Sequence, residues 1–221
     1  MRVDHMPSWL RPWLHGWGQL TGQTLFTLLG HHRRQIDIKC SGPGRPVAPA
    51  IYVIWHEDVI PLFVAMPYLH QPQIWMNHPA WYMKPIHVLL AKVGVGELCL
   101  GSTGHDGQIA LDSLGQRLVE TGSSTTLAVD GPKGPPYQLR KGCLYLAQRT
   151  ALPIVPVSFI CEDAYRLPFH WDRKRIPPLG STIDLYFHAP IRIAADDDVT
   201  DWIEPVISAL SGRAVTGPSM G

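Results

Sequence analysis

Residues 128–159 read AVDGPKGPPYQLRKGCLYLAQRTALPIVPVSF, and this stretch decides the fold of the chain. An apolar strand ends at Val129, a Gly- and Pro-rich loop follows, and a helix over Lys141–Arg149 leads into a second apolar strand, Ile154–Phe159. A strand, a crossover helix and another strand form the unit from which parallel sheets are built. The stretch therefore predicts an α/β sheet.

The same alternation runs through the rest of the chain. The other predicted strands are Ala50–Trp55, Gln73–Met76, Glu97–Leu100, Thr125–Val129 and Ile183–Phe187. The other predicted helices are Val59–Tyr68, Met83–Val93, Gln108–Thr121 and Val199–Leu210. With 221 residues and 45% hydrophobic content, the chain is long enough for one core. We expect a single α/β domain with a mostly parallel sheet flanked by helices.

The N-terminus carries a Trp-rich amphipathic helical pattern. Trp9, Trp13 and Trp17 recur every four residues, and basic residues follow over 31–34. Tryptophan favours the membrane–water boundary, so one interpretation is an anchor at the membrane interface; the other is a helix packed on the protein's own core. Polar breaks argue against a membrane span. We divide the chain into this segment, 1–40, and an α/β domain, 41–221.

Composition excludes several classes of protein. The formal net charge is only +1, and no basic run exceeds four residues, so no nucleic-acid partner is expected. We expect no metal site, because the cysteines are widely spaced and have no His at ligand spacing. Free thiols and the lack of a recognisable signal peptide favour a reducing, cytoplasmic location. The four cysteines are Cys40, Cys99, Cys143 and Cys161.

The loop after Val129 has the composition of a binding site. Asp130, Lys133, Arg140 and Lys141 can surround a ligand there, because loops at the carboxyl ends of parallel strands gather ligands. The alternative is a plain tight turn, since Asp-Gly and Gly-Pro pairs are strong turn formers. Five of the six residues over 131–136 are Gly or Pro, which favours a loop that holds a fixed shape.

A histidine stands at the mouth of the same predicted sheet. His56 directly follows the apolar run IYVIW and opens a helix. It is a candidate general base, because the pKa of an imidazole lies near neutrality; the alternative is a hydrogen-bonded structural histidine. Glu57, Asp58 and Asp130 are the acids that could orient its ring. The Gly101–Gly104 turn offers backbone N–H groups to an anion or caps the next helix.

Four sequence blocks together resemble the lysophospholipid acyltransferase superfamily, in a glycerolipid acyltransferase-like bacterial branch catalogued as a domain of unknown function. The resemblance covers roughly residues 51–191. The blocks are WHEDVIP (55–61), LGSTGHDG (100–107), VDGPKGPPYQLRKGCLYLAQ (129–148) and LPIVPVSF (152–159). It implies transfer of a fatty acyl group from a thioester, acyl-CoA or acyl carrier protein, to a hydroxyl of a lysophospholipid or other lipid-like acceptor.

The resemblance also implies roles for individual residues. His56 matches the catalytic histidine, and Asp130 and Lys133 match the acid and base of the family's Glu-Gly-Thr-Arg block. No bound cofactor is implied, and the partners are a lipid, the membrane surface and acyl carrier protein, with the protein peripheral on the inner face of the cell membrane. We take His56, Asp58 and Asp130 as catalytic candidates. The substrate-binding candidates are Ser102, Gly131, Pro132, Lys133, Gly134, Arg140 and Lys141.

Two positions depart from the pattern, and so does the stretch 77–81 (NHPAW), which replaces a polar, Lys-Asp-containing stretch often seen in the branch. The superfamily places an Asp five positions after the histidine, where this chain has Pro61, and the branch tends to carry an Arg where this chain has Leu100. Two alternatives therefore stand beside acyl transfer: a non-catalytic lipid-binding protein of this fold, and a thioesterase or other hydrolase that uses water as acceptor.

Overall fold

The computed structural model describes residues 9–45, 49–101 and 107–212. Its longer strands are β1 Asp37–Ser41, β2 Ile51–Ile54, β3 Gln73–Asn77, β4 Val95–Leu100, β5 Thr125–Ala128, β6 Ile154–Ile160 and β9 Thr182–Phe187, and a short hairpin is formed by β7 Tyr165–Arg166 and β8 Arg175–Ile176. The helices are α1 Arg11–Arg33, α2 Val59–Ala65, α3 Lys84–Val93, α4 Gly107–Thr121, α5 Gly142–Thr150 and α6 Ile203–Ser211. Single 3₁₀ turns lie at His56–Asp58, Met66–Tyr68, Trp81–Met83 and Val199–Trp202.

The strands form a mostly parallel sheet. The main sheet has the order β1-β9-β6-β2-β5, in which β2 pairs in parallel with both β5 and β6. Strand β9 is antiparallel to β6, and β1 runs parallel to β9. The parallel pair β3-β4 continues the sheet beyond β5, because the amide of Ile74 donates to the carbonyl of Ser124 at 2.9 Å. The expected α/β architecture is thereby confirmed.

Helices cover both faces of the sheet, and β2 lies at its centre. All four residues of β2 are buried, as is typical of a parallel strand with both faces covered. Its side chains alternate between two cores: Tyr52 packs in the cluster that contains Phe159 and Phe187, and Val53 packs in the cluster that contains Leu144. Because both faces of β2 are packed, the orientation of the strand is fixed, and so is the position of His56 just after its end.

All the predicted strands and helices are present, but the sequence patterns missed three strands. Strand β1 lies directly before a Pro/Gly-rich segment and lacks a continuous apolar run. Its side chains alternate between exposed and half-buried. It pairs with β9 along its whole length, so residues 37–41 belong to the sheet. The hairpin strands β7 and β8 have two residues each, which is too short for a hydrophobic period.

Helix α1 packs on α3 through glycine. A Cβ at Gly22 would lie 2.6 Å from Cβ of Val88 and 2.7 Å from the carbonyl oxygen of Pro85, so only glycine allows this approach. The opposite face of α1 stays open: Trp13 is 76% exposed and Leu20 is 71% exposed. Helix α1 is therefore both packed on the protein and apolar towards solvent. No helix in the described ranges is long and apolar enough to cross a membrane.

Candidate active site

Two neighbouring strands bring His56 and Asp130 together. In the parallel pair of β2 and β5, Ile54 lies opposite Ala128, and each candidate residue follows two positions after its strand residue. The backbone amide of His56 donates a hydrogen bond to Oδ1 of Asp130 at 3.0 Å. The predicted juxtaposition of these two residues at the edge of the sheet is therefore present.

The loop after β5 is held in one shape by its own contacts. Gly131 and Gly134 have φ angles of 73° and 68°, a left-handed conformation that glycine adopts without strain. The guanidinium of Arg140 donates to the carbonyl of Gly134 at 2.5 Å, and the backbone amide of Arg140 donates to the carbonyl of Val129 at 2.6 Å. Oδ2 of Asp130 accepts from the amide of Tyr137 at 3.4 Å. The side chain of Arg140 thus braces the loop.

The remaining substrate-binding candidates are placed differently. Pro132 and Lys133 are exposed on the outer side of the loop. Lys141 precedes α5, and its Nζ donates to Oγ1 of Thr200 at 3.1 Å, which holds it at the far end of the loop. Ser102 lies outside the described residues. These substrate roles stay predictions, with Lys133 the exposed cation nearest in sequence to Asp130.

Asp58 is buried against an arginine. Its Oδ1 accepts from Nε of Arg175 at 2.7 Å, and Arg175 also donates to the carbonyl of Phe159 at 2.6 Å. Burial raises the pKa of Asp58 to about 7, against the opposing effect of the Arg175 charge. The structure therefore joins the predicted acid to the hairpin strand β8, where it ties α2 to the sheet.

Glu57 is held in a similar way. It forms an ion pair with Arg166 of β7 and accepts from the hydroxyl of Tyr137 at 2.9 Å. Tyr137 belongs to the loop that contains Asp130, so Glu57 connects that loop to the hairpin. The two acids that follow His56 are both engaged with arginines of the hairpin.

Sequence reasoning missed a fourth acid, Asp172, which lies beside His56. Oδ2 of Asp172 is 3.9 Å from Nε2 of His56 and forms an ion pair with Lys174. Trp171 packs on the imidazole, with 5.3 Å between ring centroids, and on Gly134, where an added Cβ would lie 2.6 Å from the indole. The sequence signal that could have found Asp172 is a Trp-Asp pair at residues 171–172, in a segment without a helix or strand pattern. Functional side chains are concentrated in such loops.

The site keeps the imidazole neutral. Burial and, to a lesser extent, the positive charge of Lys174 lower the pKa of His56 to about 4, although the negative charge of Asp172 and a backbone hydrogen bond with Gly131 partly offset them. Nδ1 of His56 is buried and has no hydrogen-bond partner among the described residues. A neutral imidazole has a lone pair available, so it can accept a proton from a hydroxyl group.

The pKa of Asp130 is shifted in the opposite direction to that of His56. Burial raises its pKa to about 6, while hydrogen bonds from the amides of His56 and Tyr137 favour the charged form. Within residues 9–45, 49–101 and 107–212, no cluster of three or more His, Cys, Asp or Glu side chains has a geometry that could hold a metal ion. The chemistry available to the described residues is proton transfer beside a cationic, rigid loop.

Comparisons with known proteins agree with the fold. The structure is similar to the crystal structure of the 1-acyl-sn-glycerophosphate (LPA) acyltransferase PlsC from Thermotoga maritima, with a TM-score of 0.50, 15% identity, and coverage of 96% of this chain and 86% of that chain. At this identity the likeness shows the fold alone: a single α/β domain with a mostly parallel central sheet flanked by helices.

The sequence comparison gives a bacterial relative whose function its name does not state. The chain is 28% identical over 146 residues to an uncharacterized protein of Rickettsia prowazekii (strain Madrid E). The match covers 66% of this chain and 65% of that protein, so it spans just under two thirds of the relative's length. No family model matches the chain.

Proposed function

We propose that this protein is an acyltransferase that moves a fatty acyl group from an acyl thioester to a hydroxyl group of a lysophospholipid or similar lipid acceptor, with His56 as the general base. One observation carries the proposal. The neutral imidazole of His56 lies at the carboxyl end of the central strand, and the backbone amide of the same residue is hydrogen-bonded to Asp130 of the adjacent loop. The likeness of the fold to an acyltransferase supports it.

The proposed reaction needs no acyl-enzyme. His56 takes the proton of the acceptor hydroxyl, and the oxygen attacks the thioester carbonyl carbon. The tetrahedral intermediate then collapses, the C–S bond breaks, and the thiolate leaving group takes the proton back from the imidazolium. Nδ1 is buried, so Nε2 is the nitrogen that we assign as the base. The products are an ester and a free thiol.

The loop that contains Asp130 supplies the site for the acceptor headgroup in this proposal. Lys133 is exposed on a loop that Gly134 and Arg140 hold rigid, so the loop fixes the base of a flexible side chain whose ammonium group can reach a phosphate or carboxylate. Arg140 acts by bracing the loop, and Lys141 is engaged with Thr200. Charge recognition therefore falls to Lys133, while acyl-CoA or acyl carrier protein delivers the thioester.

A groove beside α1 supports the membrane part of the proposal. It has a volume of about 640 Å³ and lies between the end of α1, β1, α2 and α3. Apolar side chains, among them Phe26, Leu29 and Phe63, line it together with the cations Arg33, Arg34 and Lys92. The cations of this groove match an anionic membrane interface, and Trp13 and Leu20 add exposed apolar surface on another face of α1. We therefore place the protein on the inner face of the cell membrane as a peripheral protein.

A thiol-release assay tests the proposal. Purified protein is mixed with palmitoyl-CoA or palmitoyl acyl carrier protein, with or without lysophospholipids in vesicles, and free thiol is measured. We expect release that depends on the acceptor. Equal release without any lipid acceptor would instead indicate a thioesterase, and vesicle binding without release across many acceptors would indicate a lipid-binding protein.

A further inference from the structure

We propose that Asp172 is the carboxylate that positions His56 and stabilises its protonated form, in place of the acid that Pro61 replaces. The inference rests on the proposed function and assigns the role to a segment that no sequence block contains. Three features carry it: the distance between the two side chains, the burial of Asp172, and the engagement of the other nearby acids elsewhere.

Asp172 is held firmly beside the ring. It is only 3% exposed, and its Oδ2 lies 3.9 Å from Nε2 of His56. Trp171 packs on both the imidazole and Gly134, and Lys174 pairs with the carboxylate. Trp171 and Asp172 therefore hold the connection between β7 and β8 over His56, and the hairpin itself is tied down through Asp58 and Arg175.

The other acids near His56 have different partners. Asp130 uses Oδ1 to accept from the amide of His56 and Oδ2 to accept from the amide of Tyr137, so it fixes the backbone and not the ring. Glu57 and Asp58 lie in the same turn as His56 but pair with Arg166 and Arg175. In the described parts of the chain, Asp172 is the acid whose carboxylate lies within 4 Å of an imidazole nitrogen of His56.

The charges explain what Asp172 contributes to the reaction. When His56 takes a proton from the acceptor, a cation forms inside a mostly buried site, and an opposite charge within a few ångströms favours that form. Lys174 opposes this effect because it is also positive. Oδ1 of Asp172 is buried and has no hydrogen-bond partner among the described residues, so the carboxylate has binding capacity beyond its pair with Lys174.

Asp172 therefore raises the pKa of His56 and Lys174 lowers it, and one variant of each residue can separate the two effects. Asp172→Asn removes the negative charge at nearly constant shape, and Lys174→Met removes the positive charge at similar volume. NMR titration of the His56 ring in the full-length protein reads the result without substrate. The wild-type midpoint is expected at about 4. We expect Asp172→Asn to lower that midpoint and Lys174→Met to raise it, by about one unit each.

Kinetics add a readout that a merely structural residue would not give. Asp172→Asn should lower kcat about tenfold, since one pKa unit corresponds to a tenfold change, and leave KM within about twofold. Asp163→Asn, an exposed acid just after β6, serves as the control and should change neither the titration nor kcat. Near-UV circular dichroism shows whether each variant is folded.

The outcomes separate this inference from the proposed function. Opposite shifts of the His56 midpoint with reduced kcat in Asp172→Asn support the role of Asp172. Folded variants that leave the midpoint unchanged overturn it, even if the wild type transfers acyl groups. If the wild type shows no acyl transfer, the function fails, and Asp172 is then supported as the electrostatic partner of His56 by the titration alone.

Discussion

The backbone amide of His56 donates to Oδ1 of Asp130 over 3.0 Å, and this bond joins the end of β2 to the loop after β5. It links the proposed base to the rigid loop that carries Lys133. Because this bond uses the backbone amide of His56, it fixes the position of the residue's main chain. The imidazole ring is contacted by Trp171 and lies 3.9 Å from Asp172.

Asp130 is predicted to stabilise the fold as well as the site. Asp130→Ala leaves the partly buried amides of His56 and Tyr137 without their acceptor, at a cost of about 0.5–1.5 kcal/mol for each lost hydrogen bond. We expect urea unfolding to show a lower free energy of unfolding for this variant. Asp130→Asn keeps an acceptor oxygen and should lose less. Equal stability of Asp130→Ala and wild type would show that the loop does not depend on these bonds.

The buried pair of Asp58 and Arg175 gives a second stability prediction. Asp58→Ala leaves a buried guanidinium group with one acid fewer, which should cost about 3–5 kcal/mol. Asp58→Leu combined with Arg175→Met should recover most of that loss, because apolar pairs of similar volume replace buried ion pairs well. Urea denaturation measures all of these variants.

An exposed ion pair is the matched control for that experiment. Arg149 and Asp112 are each about half exposed, so Asp112→Ala should cost less than about 1 kcal/mol. If Asp58→Ala costs no more than Asp112→Ala, the hairpin is not held by Arg175 as the structure indicates.

The packing of α1 on α3 is tested by two glycine variants of the same helix. Gly22→Ala places a methyl group 2.6 Å from Cβ of Val88, so the helices must separate, at a cost of about 1–3 kcal/mol. Gly16→Ala adds its methyl group in open space and should stabilise α1 by about 0.5–1 kcal/mol. Thermal unfolding compares the two, and a change of the same sign in both would contradict this packing.

The groove beside α1, which is lined by Arg33, Arg34 and Lys92, is predicted to bind anionic membranes. Arg33→Glu combined with Arg34→Glu should weaken cosedimentation with phosphatidylglycerol vesicles at least about tenfold, because each basic residue near such a surface contributes about 1 kcal/mol. Binding to neutral phosphatidylcholine vesicles should change little. Arg192→Glu reverses an exposed charge outside the groove and is the control. Equal loss in the control would indicate that net charge alone governs binding.

Much of this architecture follows from local patterns. Strands such as Ile51–Ile54 are continuous apolar runs, which occur where both faces of a strand are covered, and they are bounded by turn residues. The position of His56 and Asp130 at one edge of the sheet could be predicted, because each residue follows an apolar strand, and the structure adds that these strands, β2 and β5, are parallel neighbours. The Gly and Pro content of the loop likewise indicated its fixed shape.

The partners of the acids could not be predicted in this way. Asp58 follows His56 closely enough in sequence to suggest a catalytic pair, but Arg175 from a distant hairpin binds it. Asp172 reaches His56 only because that hairpin folds back over the sheet, and its two-residue strands leave no periodic signal. Contacts between remote, irregular segments depend on tertiary packing, which a local pattern does not encode.

The most direct measurement of the central claim compares wild type with His56→Gln by mass spectrometry of the lipid product made from a labelled acyl thioester and lysophospholipid vesicles. Loss of a general base lowers a rate by about 10²- to 10⁴-fold, so we expect acylated lipid from the wild type and a corresponding loss from folded His56→Gln. Acylated lipid formed at equal rates by both proteins would contradict the account.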